Sequence, residues 1–363
     1  MRASKRILFI LVLLTMSLLV ICLYYAWTKI SLESSCFSQR KYNSEESGMR
    51  DSMRYLIYTC VDRDQCLGWS DIQRGIVTTY LISLLSGRRF RIYMTDPCNL
   101  EKFLVPNRDD WLITKNELEG TCMREIYIFN DHLHSTNLHQ MIETADFETL
   151  FPEDIIYVHT VQNYVSSIRR NIMTADKIPW LQRYTLGEAY RYIMRNLFSL
   201  HNDTQKTVTE FISKSVRNHL LICAHIGIHV KGVYTFNATM SDLPIIWNFL
   251  RKYKDISKYK IYVATNSNEI NIIAKQLFPY QIVDTVGIID QMQGTKAKSC
   301  EVLRRVIVDQ EILTKCDVLM LTQSTLGTVA AYMRNTSQGL YCFYKKRVFP
   351  CNKYILHDLY NIS

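Results

Sequence analysis

Two patterns that would define a function at once are missing from this sequence. Its 11 cysteines include no Cys-x-x-Cys pair and no Cys/His cluster with the spacing of a zinc site, so no structural metal is expected. Its net charge of +9 is spread along the chain and forms no basic run, which argues against nucleic-acid binding. The charge fits either an anionic small ligand or simple solubility.

Charged residues are also missing from residues 7–27, a stretch long enough to cross a bilayer as a helix. Arg2, Lys5 and Arg6 precede it, which favours a cytoplasmic N-terminus. The stretch ends in bulky aromatic residues, whereas a cleaved signal peptide ends in small ones. We therefore expect a cytoplasmic tail over residues 1–6, an uncleaved signal anchor over residues 7–27 and a polar stem over residues 28–53.

Glycosylation triplets support a lumenal location for the rest of the chain. Such triplets are used only in the secretory pathway, and they begin at Asn202, Asn237, Asn335 and Asn361. We predict these four asparagines as acceptors.

Ten cysteines follow the predicted anchor and would lie in the compartment where disulfides form. By proximity along the chain, we predict the pairs Cys60–Cys66, Cys98–Cys122 and Cys342–Cys351. Cys223 and Cys316 lie in apolar runs and are predicted to be buried free thiols.

The first folded unit is predicted over residues 55–95. Residues 55–60 are a short β-prone run, and apolar residues recur at helical spacing over residues 76–85. Residues 88–95 form a second β-prone run. The pattern predicts a strand, a loop, a helix and a strand.

The loop and the helix ends of this unit have their own signals. Gly68 permits a sharp turn, Ser70 or Asp71 is the predicted N-cap, and Gly87 suits the left-handed position after the last turn. With Arg74 nearby, the loop and the helix N-terminus can bind an anion. A tight turn without any ligand is the alternative.

From residue 220 onward, apolar strands and helices alternate. The predicted strands are residues 220–230, 259–264, 281–284, 317–321 and 339–343, and the predicted helices are residues 242–253, 268–277, 299–315 and 325–333. Such alternation produces a parallel sheet, and continuous apolar strands are covered on both faces. Ligands of these sheets bind beyond the carboxyl ends of the strands. Binding residues are therefore expected at 229–232, 265–267, 284–286 and 322–325.

Five short motifs follow one another along the chain. They are Gly-Trp-Ser-Asp-Ile-Gln-Arg-Gly at residues 68–75, Cys-Ala-His-Ile-Gly-Ile at 223–228, Val-Ala-Thr-Asn-Ser at 263–267, Val-Ile-Val-Asp-Gln at 306–310 and Leu-Met-Leu-Thr-Gln-Ser-Thr-Leu at 319–326. In this order they resemble the superfamily of core α1,6-, nodulation and protein O-fucosyltransferases. The resemblance is strongest to an invertebrate group of fucosyltransferase-like membrane proteins, and it extends over residues 55–349.

The resemblance implies an α/β, GT-B-like fold, in which two Rossmann-like domains face each other across a cleft. It implies inverting transfer of fucose from GDP-fucose, with no required metal or other cofactor. On this chain it places an acceptor-side domain at residues 54–218, a nucleotide-sugar domain at residues 219–349 and a tail at residues 350–363. With the anchor and stem, we expect a type II Golgi membrane glycosyltransferase that acts on a glycan or glycoprotein.

One family residue is replaced in this chain. The family binds the donor pyrophosphate with an arginine at the end of the first strand of the second domain, because a departing diphosphate without a divalent ion needs a fixed cation. Gly227 stands at that position, and an expected aspartate pair is changed to Asn266-Ser267. The alternative hypothesis is therefore a non-catalytic protein that binds a glycan or nucleotide.

Other family residues match, and each has two interpretations. Ser324 donates to a phosphate at a helix N-terminus or is a plain helix cap. Asp309 accepts from the donor or orients a neighbour; alternatively, it pairs with Arg304 or Arg305 on its own helix. The predicted donor-binding residues are Gly68, Arg74, Gly227, Asn266, Ser324 and Thr325.

Candidates for the missing cation and for the base lie near Gly227. Lys231 can turn into the crevice or stay in solvent, and Arg74 can reach across from the first domain. His225 and His229 share strand parity with Gly227 but lie roughly 13 Å apart, too far to share a metal. We predict a buried, hydrogen-bonded His225. His229, Lys231 and Asp309 are the predicted catalytic residues.

A third hypothesis uses Asp62 and Asp64. An Asp-x-Asp pattern after a strand can hold Mn²⁺ and a diphosphate in the other glycosyltransferase architecture. A solvated loop is the alternative interpretation of this pattern.

Overall fold

Two sheets covered by helices form the part of the chain that the computed structural model describes, residues 54–61, 66, 68–114, 123–127, 135–228, 238–285, 287–289 and 296–360. Among these residues, no helix has both the length and the hydropathy needed to cross a membrane. The predicted anchor and stem lie outside them.

From residue 220 to residue 343, the strands and helices alternate as the sequence predicts. The strands are β1 (Tyr55–Cys60), β2 (Arg89–Met94), β3 (Leu104–Pro106), β4 (Met123–Tyr127), β5 (Ile155–His159), β6 (Phe198–Leu200), β7 (Leu220–Ile226), β8 (Tyr259–Thr265), β9 (Ile282–Val283), β10 (Val318–Leu321), β11 (Leu340–Tyr344) and β12 (Arg347–Pro350). The helices are α1 (Trp69–Leu85), α2 (Ser135–Thr144), α3 (Phe147–Leu150), α4 (Val165–Arg170), α5 (Thr174–Lys177), α6 (Pro179–Arg183), α7 (Leu186–Leu197), α8 (Asn202–Glu210), α9 (Leu243–Leu250), α10 (Asn268–Leu277), α11 (Lys296–Thr314), α12 (Thr325–Met333) and α13 (Leu356–Tyr360).

The first sheet has the order β2-β1-β5-β4, and all of its strands are parallel. All six residues of β1 are buried, as expected for a central strand that is covered on both faces. A separate ribbon pairs β3 with β6 in antiparallel fashion. Apolar residues recur at helical spacing over residues 186–200, which predicts one helix there. The prediction is wrong for residues 198–200, because β6 pairs there with β3.

Helix α1 begins one turn earlier than predicted. Gly68 is the N-cap, and its N–H donates to Oδ2 of Asp71 over 3.0 Å, so Asp71 lies inside the first turn. The prediction of Ser70 or Asp71 as N-cap is therefore wrong. Gly87 has φ of +61°, which confirms the left-handed position predicted after the helix.

Gly75 brings α1 unusually close to the first sheet. A Cβ atom on Gly75 would lie 1.9 Å from the carbonyl oxygen of Thr160 and 2.5 Å from the Tyr58 ring. Only glycine permits this approach, and it places α1 directly over β1 and the end of β5.

The second sheet has the order β12-β11-β10-β7-β8-β9, with all strands parallel except β12. Helices α10 and α12 have the predicted bounds, and the other predicted strands and helices of this region are present with shifted ends. Residues 350–360 include α13, whose Leu356 and Tyr360 are buried. The Tyr360 hydroxyl donates to the carbonyl of Leu321 over 2.9 Å, so this segment packs against the end of β10.

One hydrophobic cluster is shared by both sheets. It joins residues of β1 and α1, such as Leu56 and Ile76, to residues of β10 and α12, such as Leu321 and Ala330. A second cluster lies on the other face of the second sheet and includes Ile222 and Trp247. The predicted domain division at residue 218 stays a prediction.

Four disulfides lie among the described residues. Cys60–Cys66 and Cys342–Cys351 are confirmed. The predicted pair Cys98–Cys122 is wrong, because Cys98 is bonded to Cys300 of α11. Cys223 and Cys316 are not free thiols but are bonded to each other, since β10 lies beside β7 and the turn before β10 carries Cys316 to that strand.

Candidate functional site

The second sheet reverses its direction of winding between β7 and β10. From β7 the chain proceeds to β8 and β9 on one side, and α11 returns it to β10 on the other. Ligands of open parallel sheets bind in the crevice at such a reversal, beyond the carboxyl ends of the strands. Gly227 follows β7 and Ser324 follows β10, so the two loops define this crevice.

The two loops contact each other directly. The N–H of Gly227 donates to Oγ1 of Thr322 over 2.9 Å. A Cβ atom on Gly227 would lie 3.5 Å from Cβ and 3.8 Å from Oγ of Ser324. Gly227 and Ser324, predicted together as donor-binding residues, are thus neighbours.

Ser324 and Thr325 form the start of α12. Ser324 is the N-cap, but its side chain makes no capping hydrogen bond. The first N–H groups of a helix have no partner within the helix, and the helix dipole adds partial positive charge there. The hydroxyl and these N–H groups can therefore serve a phosphate at the crevice.

His225 lies at the inner end of this crevice. It is 5 % exposed, and its Nδ1 has no hydrogen-bond partner among the described residues. Burial lowers its pKa from 6.5 to about 4, so the imidazole is neutral at pH 7. The predicted burial is confirmed, whereas the predicted hydrogen bond is absent at Nδ1.

Gly327 explains how α12 comes so close to His225. A Cβ atom on Gly327 would lie 2.9 Å from Nδ1 of His225 and 2.9 Å from Cδ2 of Leu321. Sequence reasoning missed this residue, although its place in the first turn of a predicted helix was the available signal.

Asn266 connects the loops after β7 and β8. Its Oδ1 accepts from the N–H of Ile228 over 3.3 Å, and its Nδ2 donates to the carbonyl of Ile228 over 3.1 Å. The Asn266 side-chain amide thus holds the backbone of Ile228 beside the crevice through both its oxygen and its nitrogen. The neighbouring Ser267 caps α10 by accepting from the N–H of Ile270.

Asp309 of α11 belongs to a buried ionic cluster. Nε of Arg305 donates to Oδ1 of Asp309 over 2.6 Å, and the Tyr262 hydroxyl donates to the same oxygen. Arg305 also pairs with Asp284 over 2.6 Å. Burial alone would lower the pKa of Arg305, but the two carboxylates raise it above its usual value. The structure thus shows the ion pair with Arg305 that was one of the two interpretations of Asp309.

Helix α1 contacts the second half of the chain through a pair of amides. Nε2 of Gln73 donates to Oε1 of Gln310 over 2.8 Å, and Nε2 of Gln310 donates to Oε1 of Gln73 over 3.0 Å. Nε1 of Trp69 donates to the same Gln310 oxygen over 2.8 Å. Gln310 Nε2 also approaches the carbonyl of Leu326 in α12 at 3.5 Å. Three of the five sequence motifs therefore touch, close to the start of α12.

Arg74 is paired on its own helix. Its guanidinium contacts the carboxylate of Asp71, which also accepts from the N–H of Gly68. The glycine turn, Asp71 and Arg74 form one local unit at the start of α1.

Several predicted residues lie outside the described part of the chain. They are His229, Lys231, Asp62, Asp64, Asn237 and Asn361. Of the other glycosylation candidates, Asn202 is exposed at the start of α8 and Asn335 is exposed after α12. Within the described ranges, no group of three His, Cys, Asp or Glu side chains could hold a metal ion.

Comparison with known proteins decides which fold this is. No family model and no curated protein matches the chain. Among solved structures, the fucosyltransferase NodZ of Bradyrhizobium aligns with a TM-score of 0.52 at 13 % identity, over 82 % of this chain and 98 % of NodZ. FUT1 of Arabidopsis thaliana, solved as a mutant in complex with GDP, aligns with a TM-score of 0.55 at 12 % identity, over 89 % of this chain and 78 % of FUT1.

The chain has the fold of these fucosyltransferases. NodZ, an α1,6-fucosyltransferase, has also been solved after soaking with GDP-fucose; that structure aligns with a TM-score of 0.51 at 12 % identity, over 80 % of this chain and 95 % of NodZ. The predicted resemblance to the fucosyltransferase superfamily is confirmed at the level of the fold.

Proposed function

We propose that this protein is a glycosyltransferase that transfers fucose from GDP-fucose to a glycan or glycoprotein, with inversion and without a required metal or cofactor. The crevice between β7 and β10 is the observation that carries the proposal. There the Ser324 hydroxyl, which makes no cap bond, comes together with the start of α12 and the room left by Gly227. In the same fold, NodZ and FUT1 have been solved with GDP-fucose and GDP.

In this proposal the residues around the crevice have separate roles in binding the donor and in catalysis. Ser324 and the N–H groups of Thr325 and its successors in α12 bind the diphosphate of the donor. Gly227 leaves the space for that group, and Asn266 holds the loop that borders it. Lys231 supplies the cation that Gly227 lacks and His229 the base, both as proposals from the sequence.

A non-catalytic binding protein is the second candidate, and Gly227 favours it. The family's pyrophosphate arginine is replaced at this position by a residue without charge. In addition, Arg305 is bound to Asp284 and Asp309, and Arg74 is bound to Asp71. Such a protein would bind a nucleotide or glycan without turning it over.

Calorimetric titration of the purified full-length chain with GDP tests both candidates. Binding of GDP, together with release of fucose from GDP-fucose or its transfer to a glycan, supports the enzyme. Binding without turnover favours the second candidate, and absence of GDP binding contradicts the fucosyltransferase. UDP-galactose is the control donor, and activity lost in EDTA would point to a metal-dependent enzyme that uses Asp62 and Asp64.

The Golgi membrane is the proposed location, on the strength of residues 7–27 and the four glycosylation triplets. Treatment of the expressed chain with a glycan-removing amidase, followed by electrophoresis, tests the lumenal orientation. A chain whose mobility does not change after treatment would contradict it.

A further inference from the structure

A cavity of about 580 Å³ lies along the exposed side of α7, away from the crevice. Its walls include Arg108, Tyr184, Glu188, Arg191, Tyr192 and Arg195. Three guanidinium groups and one carboxylate therefore share one cavity.

Helix geometry puts most of these side chains on one side of α7. Glu188, Arg191, Tyr192 and Arg195 are spaced at i, i+3, i+4 and i+7, which is one helix face. The opposite face carries Ala189, Tyr190, Ile193 and Met194, which are buried in the core. The cavity face is thus presented by a helix that the core holds in place.

The facing wall is also fixed. The segment at residues 107–109 is bonded to the end of α7: Nδ2 of Asn107 donates to the carbonyl of Arg195 over 2.6 Å, and the N–H of Arg108 donates to the carbonyl of Asn196 over 2.8 Å. The cavity is therefore formed before any ligand arrives, which reduces the ordering cost of binding.

The positive charges in this cavity are not neutralised by neighbouring acids. In the described part of the chain, no carboxylate lies within 4.0 Å of the guanidinium of Arg108, Arg191 or Arg195. Glu188 lines the cavity as a charged carboxylate whose Oε2 accepts from the N–H and the hydroxyl of Thr185, each over 2.8 Å, so three guanidinium groups outnumber one carboxylate there. The site therefore suits an anion.

Part of the arginine hydrogen bonding is structural. Arg191 donates to the carbonyl of Arg334 over 3.3 Å and to Oδ1 of Asn335, and Arg195 donates to the carbonyl of Met333 over 3.4 Å. These bonds secure the C-terminal end of α12. Arg108 has no such task, since its guanidinium makes no hydrogen bond or ion pair with the described residues.

Aromatic rings supply the rest of the recognition chemistry. Tyr184, Tyr192 and Trp180 form a cluster, with ring centroids 4.5 Å apart for Trp180 and Tyr192 and 5.8 Å apart for Tyr184 and Tyr192. Tyrosine offers an apolar face beside a polar hydroxyl, as a pyranose ring requires. We propose that this cavity is a second carbohydrate site, which binds a sugar that carries a carboxylate or sulfate group.

The site is separate from the proposed donor crevice. Arg191 and Arg195 contact the last residues of α12, whereas Ser324 lies at its first turn. Nine helical residues at 1.5 Å each span about 13 Å. Loss of a ligand here and loss of GDP binding can therefore be measured independently.

Binding of defined tetrasaccharides to the purified full-length chain at 0.15 M salt tests the proposal. The probes are a heparin tetrasaccharide, which carries sulfate and carboxylate, a hyaluronan tetrasaccharide, which carries carboxylate alone, and neutral chitotetraose. We expect an acidic probe to bind and chitotetraose not to bind. Binding of heparin alone would identify sulfate as the group recognised, and equal binding of chitotetraose would overturn the proposal.

Arg108→Ala is the decisive variant, because it removes a charge that has no structural partner. A charged hydrogen bond is worth enough for about a tenfold loss of acidic-probe affinity, while the melting temperature and GDP binding stay unchanged. Arg183→Ala is the matched control, since Arg183 is exposed on the neighbouring α6 and does not line the cavity. Unchanged affinity in Arg108→Ala, or an equal loss in Arg183→Ala, would overturn the proposal.

The aromatic part of the site has its own test. Tyr192→Phe keeps the ring and is expected to keep the affinity, whereas Tyr192→Leu is expected to lose it several-fold. Equal affinities of these two variants would show that the ring does not contact the sugar.

Discussion

Both sheets have a buried histidine at or near the carboxyl end of a strand, but the hydrogen bonds around the two histidines differ. Each has a histidine that is 5 % exposed, His159 at the end of β5 and His225 near the end of β7. In the first sheet, Nδ1–H of His159 donates to the carbonyl of Thr59 over 3.0 Å, and Gly75 brings α1 against Thr160. In the second sheet, Nδ1 of His225 has no partner within the described part of the chain, and the Ser324 hydroxyl makes no cap bond.

This difference indicates that the strand ends of the first sheet serve packing, whereas those of the second sheet can serve binding. In the first sheet, Gly75 permits the close approach of α1, so the carboxyl ends of the strands are covered. In the second sheet, a Cβ atom on Gly227 would have Ser324 as its nearest described neighbour, at 3.5 Å. A crevice between parallel strands becomes a candidate site only where polar groups remain available to a ligand.

The largest expected effect tests whether Asp309 stabilises the fold or belongs to the ligand site. Asp309→Asn leaves Arg305 buried with one carboxylate partner fewer, which should lower the free energy of unfolding by about 3–5 kcal/mol in a urea titration. Glu301→Gln on the same helix is the control, because its pair with Arg304 is 4.0 Å long and partly exposed, and it should cost less than about 1 kcal/mol. A stable Asp309→Asn variant that no longer binds GDP would move Asp309 into the ligand site.

The next test compares the two glycines. Gly75→Ala places Cβ 1.9 Å from the carbonyl oxygen of Thr160, so the backbone must shift, at a cost of about 3 kcal/mol in the free energy of unfolding. Gly227→Ala, with its nearest neighbour at 3.5 Å, should cost less than about 1 kcal/mol. The comparison breaks down if the two alanine variants are equally stable.

Low pH is expected to reduce the stability of the folded chain through His225 of the second sheet. In the unfolded chain His225 binds a proton near pH 6.5, whereas in the folded chain its pKa is about 4. Between these values the unfolded state holds more protons, so stability falls as the pH falls. From pH 7 to pH 5 the loss due to His225 should be about 2 kcal/mol. Urea titrations of His225→Gln should show a correspondingly smaller loss, and an identical pH profile would refute the assignment.

The smallest expected stability effect is at Ser324. Because its side chain makes no cap bond, Ser324→Ala should change the free energy of unfolding by less than about 0.5 kcal/mol. If the hydroxyl serves the diphosphate, the same variant should bind GDP about tenfold more weakly. Ser267→Ala should behave in the opposite way, with a loss of about 1 kcal/mol from α10 and unchanged GDP affinity. Equal behaviour of the two serine variants would remove Ser324 from the site.

Most of the second sheet was predictable because its signals are local. Continuous apolar runs and helical spacing identify β7, β8, β10, α10 and α12 from short windows of sequence, and the order of the motifs pointed to the fold. The helices between β4 and α7 were not predicted, since four of them, α3 to α6, have six residues or fewer. Such helices contain too few turns to show a period.

The location of the candidate site was predictable from the sequence, but the contacts among its side chains were not. The sequence indicated the loops after β7 and β10, and the structure shows that they touch. It did not indicate that Gly327 would accommodate His225, or that Tyr262 and Asp284 would join Arg305 and Asp309 in one cluster. These outcomes depend on which side chains meet across elements, and no local pattern encodes such a meeting.

By itself, the sequence determined the alternation of strands and helices, the glycine turn before α1 and the order of the motifs, because backbone preference and apolar periodicity act over a few residues. Only the tertiary structure decided that Cys98 bonds Cys300, that Gln73 pairs with Gln310, and that three arginines line one cavity along α7. Those pairings join residues far apart in the chain, and packing of the whole core determines which of them come within reach.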